Sequence, residues 1–345
     1  MKTRSIAEMR ESASPLVESL RQEVRELRAA LKSAKLEQGR FDDVLYGIAQ
    51  SVKAAKPLPP PKTAPGKGLG RPVTLVTQFS DWHIGLVTPA SDVEGFGQYS
   101  YDTACRRAAV LVGSLARYAE TMRHGYTIDD CVILCTGDYV SGDIHDGLVR
   151  TNEFPAPVQA VKAGLLMASA VQSLAGVFPK VRVEFITPGN HDRLTRKPQA
   201  QAGGWNSYGY VVGSLAKEVL RNQGNVAFNL HPRVQEIVEV QGRRYLCGHG
   251  DGIIGTWGIP FYGIERKVAR ESKARMNMPE HRHFHKIVIG HFHTALDHED
   301  WFVGGSLSGT DENDHKCGRH SRAHQTSWLV HPEHGEFGFT RWYLP

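Results

Sequence analysis

Five short segments, each at the end of an apolar run, constrain this chain more than anything else in it. They are Asp81-Trp82-His83, Gly137-Asp138, Gly189-Asn190-His191-Asp192, Gly248-His249 and Gly290-His291-Phe292-His293. Taken singly each has a bland reading: a capped turn, a strand-ending turn, or a buried histidine satisfied by a carbonyl. Together they supply only oxygen and imidazole nitrogen donors, with no thiolate. That mixture suits divalent ions of intermediate hardness such as Mn, Fe, Zn or Ni, and it is poor for Ca or Cu(I). The donors exceed what one ion needs, so two ions sharing a bridging carboxylate is the natural count. His291 and His293 lie two apart and share a face if their backbone is extended.

The apolar runs before these segments alternate with helical patterns. Strands are expected at 73–79, 131–135 and 181–186, and helices at 102–123, 156–177 and 208–222. Later strands are expected at 234–240, 243–247, 286–289, 301–303, 327–330 and 337–343, with a helix over 263–278. This alternation predicts an α/β layered fold, with the five segments just beyond strand carboxyl ends, where open α/β sheets place their sites.

The ordered series D-x-H, G-D, G-N-H-D, G-H, G-H-x-H resembles the calcineurin-like metallophosphoesterases over roughly residues 73 to 310. That resemblance implies two packed mixed β-sheets flanked by helices, an αββα sandwich with the metals at one edge. It also implies a dinuclear centre in which Asp81, His83 and His293 hold one ion, Asn190, His249 and His291 hold the other, and Asp138 bridges. Manganese is the favoured ion, with Fe, Zn, Ni or Mg as alternatives. The implied reaction is in-line hydrolysis by metal-activated water without a phosphoenzyme. His191 would protonate the leaving group and Asp192 would hold its imidazole in the right tautomer. His191 as a ligand, with Asn190 as spacer, is the competing assignment.

Residues 1–45 differ from the rest. Val17, Leu20, Val24, Leu27, Leu31 and Ala34 form an a/d seam with charged residues between them, which predicts an N-terminal helical extension. It is read as an oligomerising helix, and alternatively as an amphipathic helix packed on its own catalytic domain. Residues 46–71 contain Pro57-Leu58-Pro59-Pro60-Pro61 and Gly66-Lys67-Gly68-Leu69-Gly70 and read as a linker, leaving 72–345 as the catalytic domain. Hydrophobic content of 41% and 22% charged residues are ordinary for a globular protein. No apolar stretch approaches the ~20 residues that span a bilayer. Met1-Lys2-Thr3-Arg4 is followed by a polar helical pattern rather than an export signal, and the five cysteines have no disulfide spacing. A cytoplasmic protein is therefore expected. Cys131, Cys135 and Cys247 lie in apolar runs and are expected to be buried.

The ester is less constrained than the reaction. The formal charge of +5 does not by itself indicate nucleic acid. Arg266, Lys267, Arg270, Lys273 and Arg275 share one helix, however, just after Trp257, Phe261 and Tyr262, and basic residues beside aromatics form single-strand binding surfaces. Arg193, Arg196 and Lys197 follow the catalytic loop, and Asp143 and His145 follow the bridging aspartate. Arg193, His145, Arg266, Lys267 and Arg270 are therefore the candidate substrate contacts. The chain also resembles phosphoesterases encoded by bacteriophages and bacteria, and the family includes nucleases of double-strand-break repair. A DNA or RNA nuclease in a bacterial or phage-infected cell is the expectation. A cyclic-nucleotide or small-molecule phosphodiesterase or phosphomonoesterase is the alternative, and a non-enzymatic scaffold comes third. His315, Cys317, His320 and His324 could hold a structural zinc, although a polar loop suits them better. His281, His283 and His285 are expected in a solvated turn.

Overall fold

The computed structural model describes residues 22–23, 25–27, 72–198, 202–254 and 260–345. Residues 22–23 and 25–27 are helical. The rest of the expected seam, the 46–71 linker and Trp257 lie outside the described residues.

Period-two alternation explains the layers. In β1 (Pro72–Phe79), Val73, Leu75 and Phe79 face one core while Val76 faces another. In β2 (Thr127–Cys135), Cys131, Ile133 and Cys135 join the first core, and Val132 and Leu134 the second. β3 (Lys180–Ile186) repeats this, and β4 (Val226–His231) pairs parallel to it. Strands β10 (His324–His331) and β11 (Gly335–Tyr343) add antiparallel to the edge of β1. The resulting six-stranded sheet has the order β11-β10-β1-β2-β3-β4. Apolar residues buried on both faces are what a covered parallel sheet requires.

The second sheet has five strands: β5 (Gln235–Val240), β6 (Arg243–Gly248), β7 (Lys286–Ile289), β8 (Leu296–Asp297) and β9 (Trp301–Val303), in the order β5-β6-β7-β9-β8. Tyr245, Cys247, Val288 and Phe302 meet Val76, Leu134, Trp328 and Val330 of the first sheet in the central core. Leu246, Ile287, Ile289, Trp301 and Val303 point the other way. The fold is therefore two packed mixed β-sheets flanked by helices.

The first sheet is covered by α1 (Tyr101–Met122) and α3 (Ala156–Ala175), with α4 (Tyr208–Val219) packed beside α3. Ser100 caps α1 by accepting the Thr103 N–H, and Ser207 caps α4 by accepting the Tyr210 N–H. A short helix α2 (Asp146–Thr151) precedes α3. The outer face of the second sheet is covered by α5 (Phe261–Arg275) through Ile264. A further short helix, α6 (Glu312–Lys316), sits between β9 and β10 and is capped by Asp311.

Two expectations need correction. β4 was not foreseen, because its exposed edge position leaves Asn229 and His231 free to bond the Glu184 carboxylate at 3.1 and 2.6 Å, and the segment reads as polar. One apolar stretch does reach 20 residues. α3 is long and apolar enough to cross a membrane by length and composition, yet 72% of its apolar window is buried inside the protein, as a core helix should be. Cys131, Cys135 and Cys247 are buried as expected.

Candidate metal centre

All five segments arrive at one edge of the two-sheet sandwich: after β1, β2 and β3 of the first sheet, and after β6 and β7 of the second. Eight described non-glycine residues have left-handed backbone, and five of them are donors: Asp81, His83, Asp138, His291 and His293. This conformation is sterically unfavourable for side-chain-bearing residues and persists where the surroundings over-determine it, typically at functional sites. The neighbouring glycines show how tightly the loops approach. A Cβ on Gly189 would lie 2.1 Å from the Asp138 backbone nitrogen and Oδ1, and one on Gly290 would lie 1.9 Å from Ser80 Oγ.

Buried amides hold the strand ends in place. Gln78 donates to Thr136 Oγ1 at 2.8 Å and to the Ile289 carbonyl at 2.9 Å, joining the ends of β1, β2 and β7. Gln325, on β10, clamps the first segment: its Oε1 accepts the Ser80 N–H at 3.0 Å, and its Nε2 donates to the Ser80 and Gly305 carbonyls at 2.9 and 3.0 Å. Neither glutamine stands in a recognisable motif, and only the paired strands bring them to the site.

The donor atoms converge. Those of Asp81, His83 and His293 lie within 4.8 Å of one another, as do those of Asp138, His249 and His291. Asp138 also groups with His83 and His191, so it stands between the two sets. His249 Nε2 is 3.0 Å from Asp138 Oδ2 and 2.9 Å from Asn190 Oδ1, and its Nδ1 donates to the Thr136 carbonyl at 2.9 Å. His83 Nε2 and His293 Nε2 approach to 3.1 Å. Two buried carboxylates with four imidazoles aimed at them form a donor set that fits a pair of divalent ions of intermediate hardness.

Electrostatics sort the imidazoles. Burial lowers His83 to about 3, aided by His191, and burial with His249 lowers His291 to about 4. Burial also opposes charge on His249, but Asp138 outweighs it and holds that imidazole at about 10. His293 is likewise raised well above its ordinary value, against burial, by Asp314 and Asp81. Burial would raise the Asp138 carboxyl, but His249 and His191 hold it well below the usual carboxylate range. Without an ion, charge on His249 offsets Asp138, and Asp314 and Asp81 favour the charged form of His293.

His191 lies in the same groove, its ring 4.7 Å from that of His83. The expected pairing of His191 with Asp192 is absent. His191 Nδ1 instead faces the Ser141 carbonyl at 2.7 Å. The Asp192 carboxylate turns inward and accepts four backbone N–H groups, from Gly189 (2.8 Å), Asp138 (3.0 Å), Tyr139 (3.0 Å) and Val140 (3.2 Å). Consecutive residues in this loop face opposite ways, so adjacency in sequence misled.

Two clefts border the donors. One, of about 660 Å³, contains His83, Asp138, Asn190, His191 and His293 and is walled by Leu148, Phe292, Lys316 and Arg319. His145 also lines it, its ring 6.2 Å from that of His191. The other, of about 450 Å³, reaches Gly189 and His249 and is lined by Arg193, Leu194, Val234 and Lys267. Arg266 and Arg270 are exposed on α5 and line neither cleft. Lys267 and Arg275 are both paired with Glu271, which leaves Arg266, Arg270 and Lys273 as the cations of this helix without an acidic partner among the described residues. Phe261 packs edge-on against Trp301, and Tyr262 is 65% exposed. Asp143 is half-buried.

The grouping of His315, Cys317, His320 and His324 does not form. His324 is buried with both ring nitrogens engaged, Nε2 accepting the Ala295 N–H at 3.1 Å and Nδ1 facing the Arg322 carbonyl at 2.6 Å. His315 and His320 pack with Phe96 instead. His281 is exposed in a short 3₁₀ turn, but His285 accepts the Arg244 N–H at 2.9 Å and is half-buried rather than solvated.

A chain in which these five segments converge in this order on the edge of an αββα sandwich has the architecture of a metal-dependent phosphoesterase. The family model of calcineurin-like phosphoesterases matches residues 74–325, and the chain belongs to that family. Among solved structures it is similar to Vps29 of Entamoeba histolytica complexed with zinc (12% identity, 77% of this chain and 97% of that one, TM-score 0.31). It is also similar to a predicted phosphoesterase of Streptococcus pneumoniae (10% identity, 79% and 98%, TM-score 0.29) and to Vps29 of Chaetomium thermophilum (10% identity, 79% and 98%, TM-score 0.31). No curated protein sequence matches the chain.

Proposed function

We propose that the protein is a dinuclear-metal-dependent phosphodiester hydrolase acting on nucleic acid. The observation that carries this reading is that clefts border the donor cluster on two sides, one of 660 Å³ lined by His191 and most of the donors, the other of 450 Å³ lined by His249. A phosphodiester has two substituents to place, whereas a monoester has one. The exposed Arg266, Arg270 and Lys273 add a phosphate-attracting surface on α5.

Bound divalent ions supply charge neutralisation at phosphorus and an activated water at neutral pH. Asp81, His83 and His293 would hold one, Asn190, His249 and His291 the other, and Asp138 both; the oxygen and nitrogen donors suit manganese. With Nδ1 engaged by the Ser141 carbonyl, His191 would deliver its proton from Nε2 to the leaving oxygen. His145, across from His191, would contact the departing arm, and Arg193 and Lys267 the arm in the other cleft. Asp192 would act through the backbone of the Asp138 loop rather than on the reacting groups.

The pairing of Lys267 and Arg275 with Glu271 favours a second reading, a small-molecule or cyclic-nucleotide diester held within the clefts. Incubation of metal-stripped protein with Mn²⁺ and labelled single- and double-stranded DNA and RNA, beside bis-p-nitrophenyl phosphate and cyclic nucleotides, separates the two. Polynucleotide cleavage lost in His191→Ala, with binding whose salt dependence flattens in Arg266→Ala/Arg270→Ala, supports the nuclease. Turnover of small diesters alone replaces it with the second reading.

A further inference from the structure

Asp314 belongs to none of the five segments. It lies on α6, and its Oδ2 is 2.8 Å from Nδ1 of His293. The other nitrogen of that ring, Nε2, faces Asp81 Oδ1 at 3.5 Å and His83 Nε2 at 3.1 Å. Asp314 is 4% exposed and firmly held. Its Oδ1 takes Arg319 at 3.2 Å, and its backbone N–H donates to Asp311 Oδ1 at 2.7 Å, so a helix cap fixes the carboxylate's own position.

We propose that Asp314 is a positioning residue for the metal centre: it accepts Nδ1–H of His293 and so presents Nε2 to the ion shared with Asp81 and His83. The proposal rests on the metal-centre reading and not on the identity of the ester. A neutral imidazole carries one proton and can bind an ion through either nitrogen. A carboxylate at Nδ1 selects one tautomer, fixes the ring plane and raises the basicity of Nε2. His249, in the other donor set, has a neutral carbonyl, that of Thr136, in the corresponding place. The two sets are thus unequal, and the one containing His293 binds its ion more tightly. Asp314 also lines the 660 Å³ cleft together with Asp311, Lys316 and Arg319, so the wall that would contact substrate also orients a ligand.

The test is Mn²⁺ binding to the metal-stripped full chain, followed by titration calorimetry and by the electron paramagnetic resonance of free ion. Asp314→Ala is expected to weaken the tighter of two steps about 10–100-fold and to leave the other within about threefold. Asp314→Asn, which still accepts the N–H but carries no charge, falls between. Arg319→Met, which removes the other partner of the same carboxylate, leaves both steps unchanged. Near-ultraviolet dichroism checks that each variant is folded, and the asparagine and Arg319 variants carry the comparison if the alanine variant is not.

Wild-type isotherms in Asp314→Ala and Asp314→Asn overturn the proposal. Equal losses in Asp314→Asn and Arg319→Met also overturn it, since Asp314 would then serve α6 rather than His293. A third equivalent of ion lost with Asp314 would assign Asp311, Asp314 and His293 a site of their own instead. A wild-type chain that binds no ion fails the metal-centre reading itself, and with it this proposal. Absence of turnover touches neither.

Discussion

The carboxylate of Asp192 accepts the backbone N–H of Asp138 at 3.0 Å, so the residue after the candidate general acid holds the loop of the candidate bridging carboxylate rather than the acid itself. Both Asp192 oxygens are saturated by backbone donors, and the side chain is fully buried.

Asp192→Asn therefore acts on stability. An amide cannot accept at both ends, so some of the four N–H groups lose their acceptor, at about 1–3 kcal/mol for each buried donor left unpaired. Urea unfolding of the metal-free variant should show a loss in that range or above. A variant of wild-type stability with only a shifted pH–rate profile would return Asp192 to the tautomer role.

Gln325 makes a comparable prediction from the other side of the site. Gln325→Leu is close in volume but removes the acceptor of the Ser80 N–H and the donor to the Ser80 and Gly305 carbonyls. A loss of about 2–4 kcal/mol is expected for such buried partners, with weaker Mn²⁺ binding because the loop of Asp81 is released. Unchanged stability and metal affinity would show that the clamp is dispensable.

Metal binding should release protons. His249 is held at about 10, so it carries an extra proton at pH 7.5 in the ion-free site and must lose it to ligate, and Asp314 and Asp81 shift His293 in the same direction. Affinity therefore rises as pH increases toward the raised value of His249 and falls as the medium is acidified. Calorimetry in buffers of different ionisation enthalpy should report net proton release at pH 7.5. Enthalpies independent of the buffer would contradict this charge arrangement.

Gly189→Ala probes the crowding at the centre. The added methyl would lie 2.1 Å from the Asp138 backbone nitrogen and Oδ1, so the loop of one must move. About 1–3 kcal/mol of destabilisation is expected from such overpacking, together with loss of Mn²⁺ binding. Retained stoichiometry would mean that the loops yield more easily than their left-handed donors suggest.

Most strands and the large helices are legible in the sequence because buried strands alternate apolar contacts between two cores, as Cys131, Ile133 and Cys135 against Val132 and Leu134 show. The donors are legible because each follows such a strand. What escapes is anything that depends on the third dimension. Asp314 and His293 are 21 positions apart and meet only through packing of a five-residue helix. Asp192 and His191 are adjacent, yet turn apart. On α5 the basic count was legible, but the pairing of two cations with one glutamate required coordinates.

The most direct test of the central claim is anomalous diffraction from crystals of the protein grown or soaked with Mn²⁺. Two peaks about 3.5–4 Å apart on either side of the Asp138 carboxylate are predicted, one within reach of Asp81, His83 and His293 and the other of Asn190, His249 and His291. A single peak, or two that do not share Asp138, would contradict the dinuclear centre on which the phosphodiesterase reading stands.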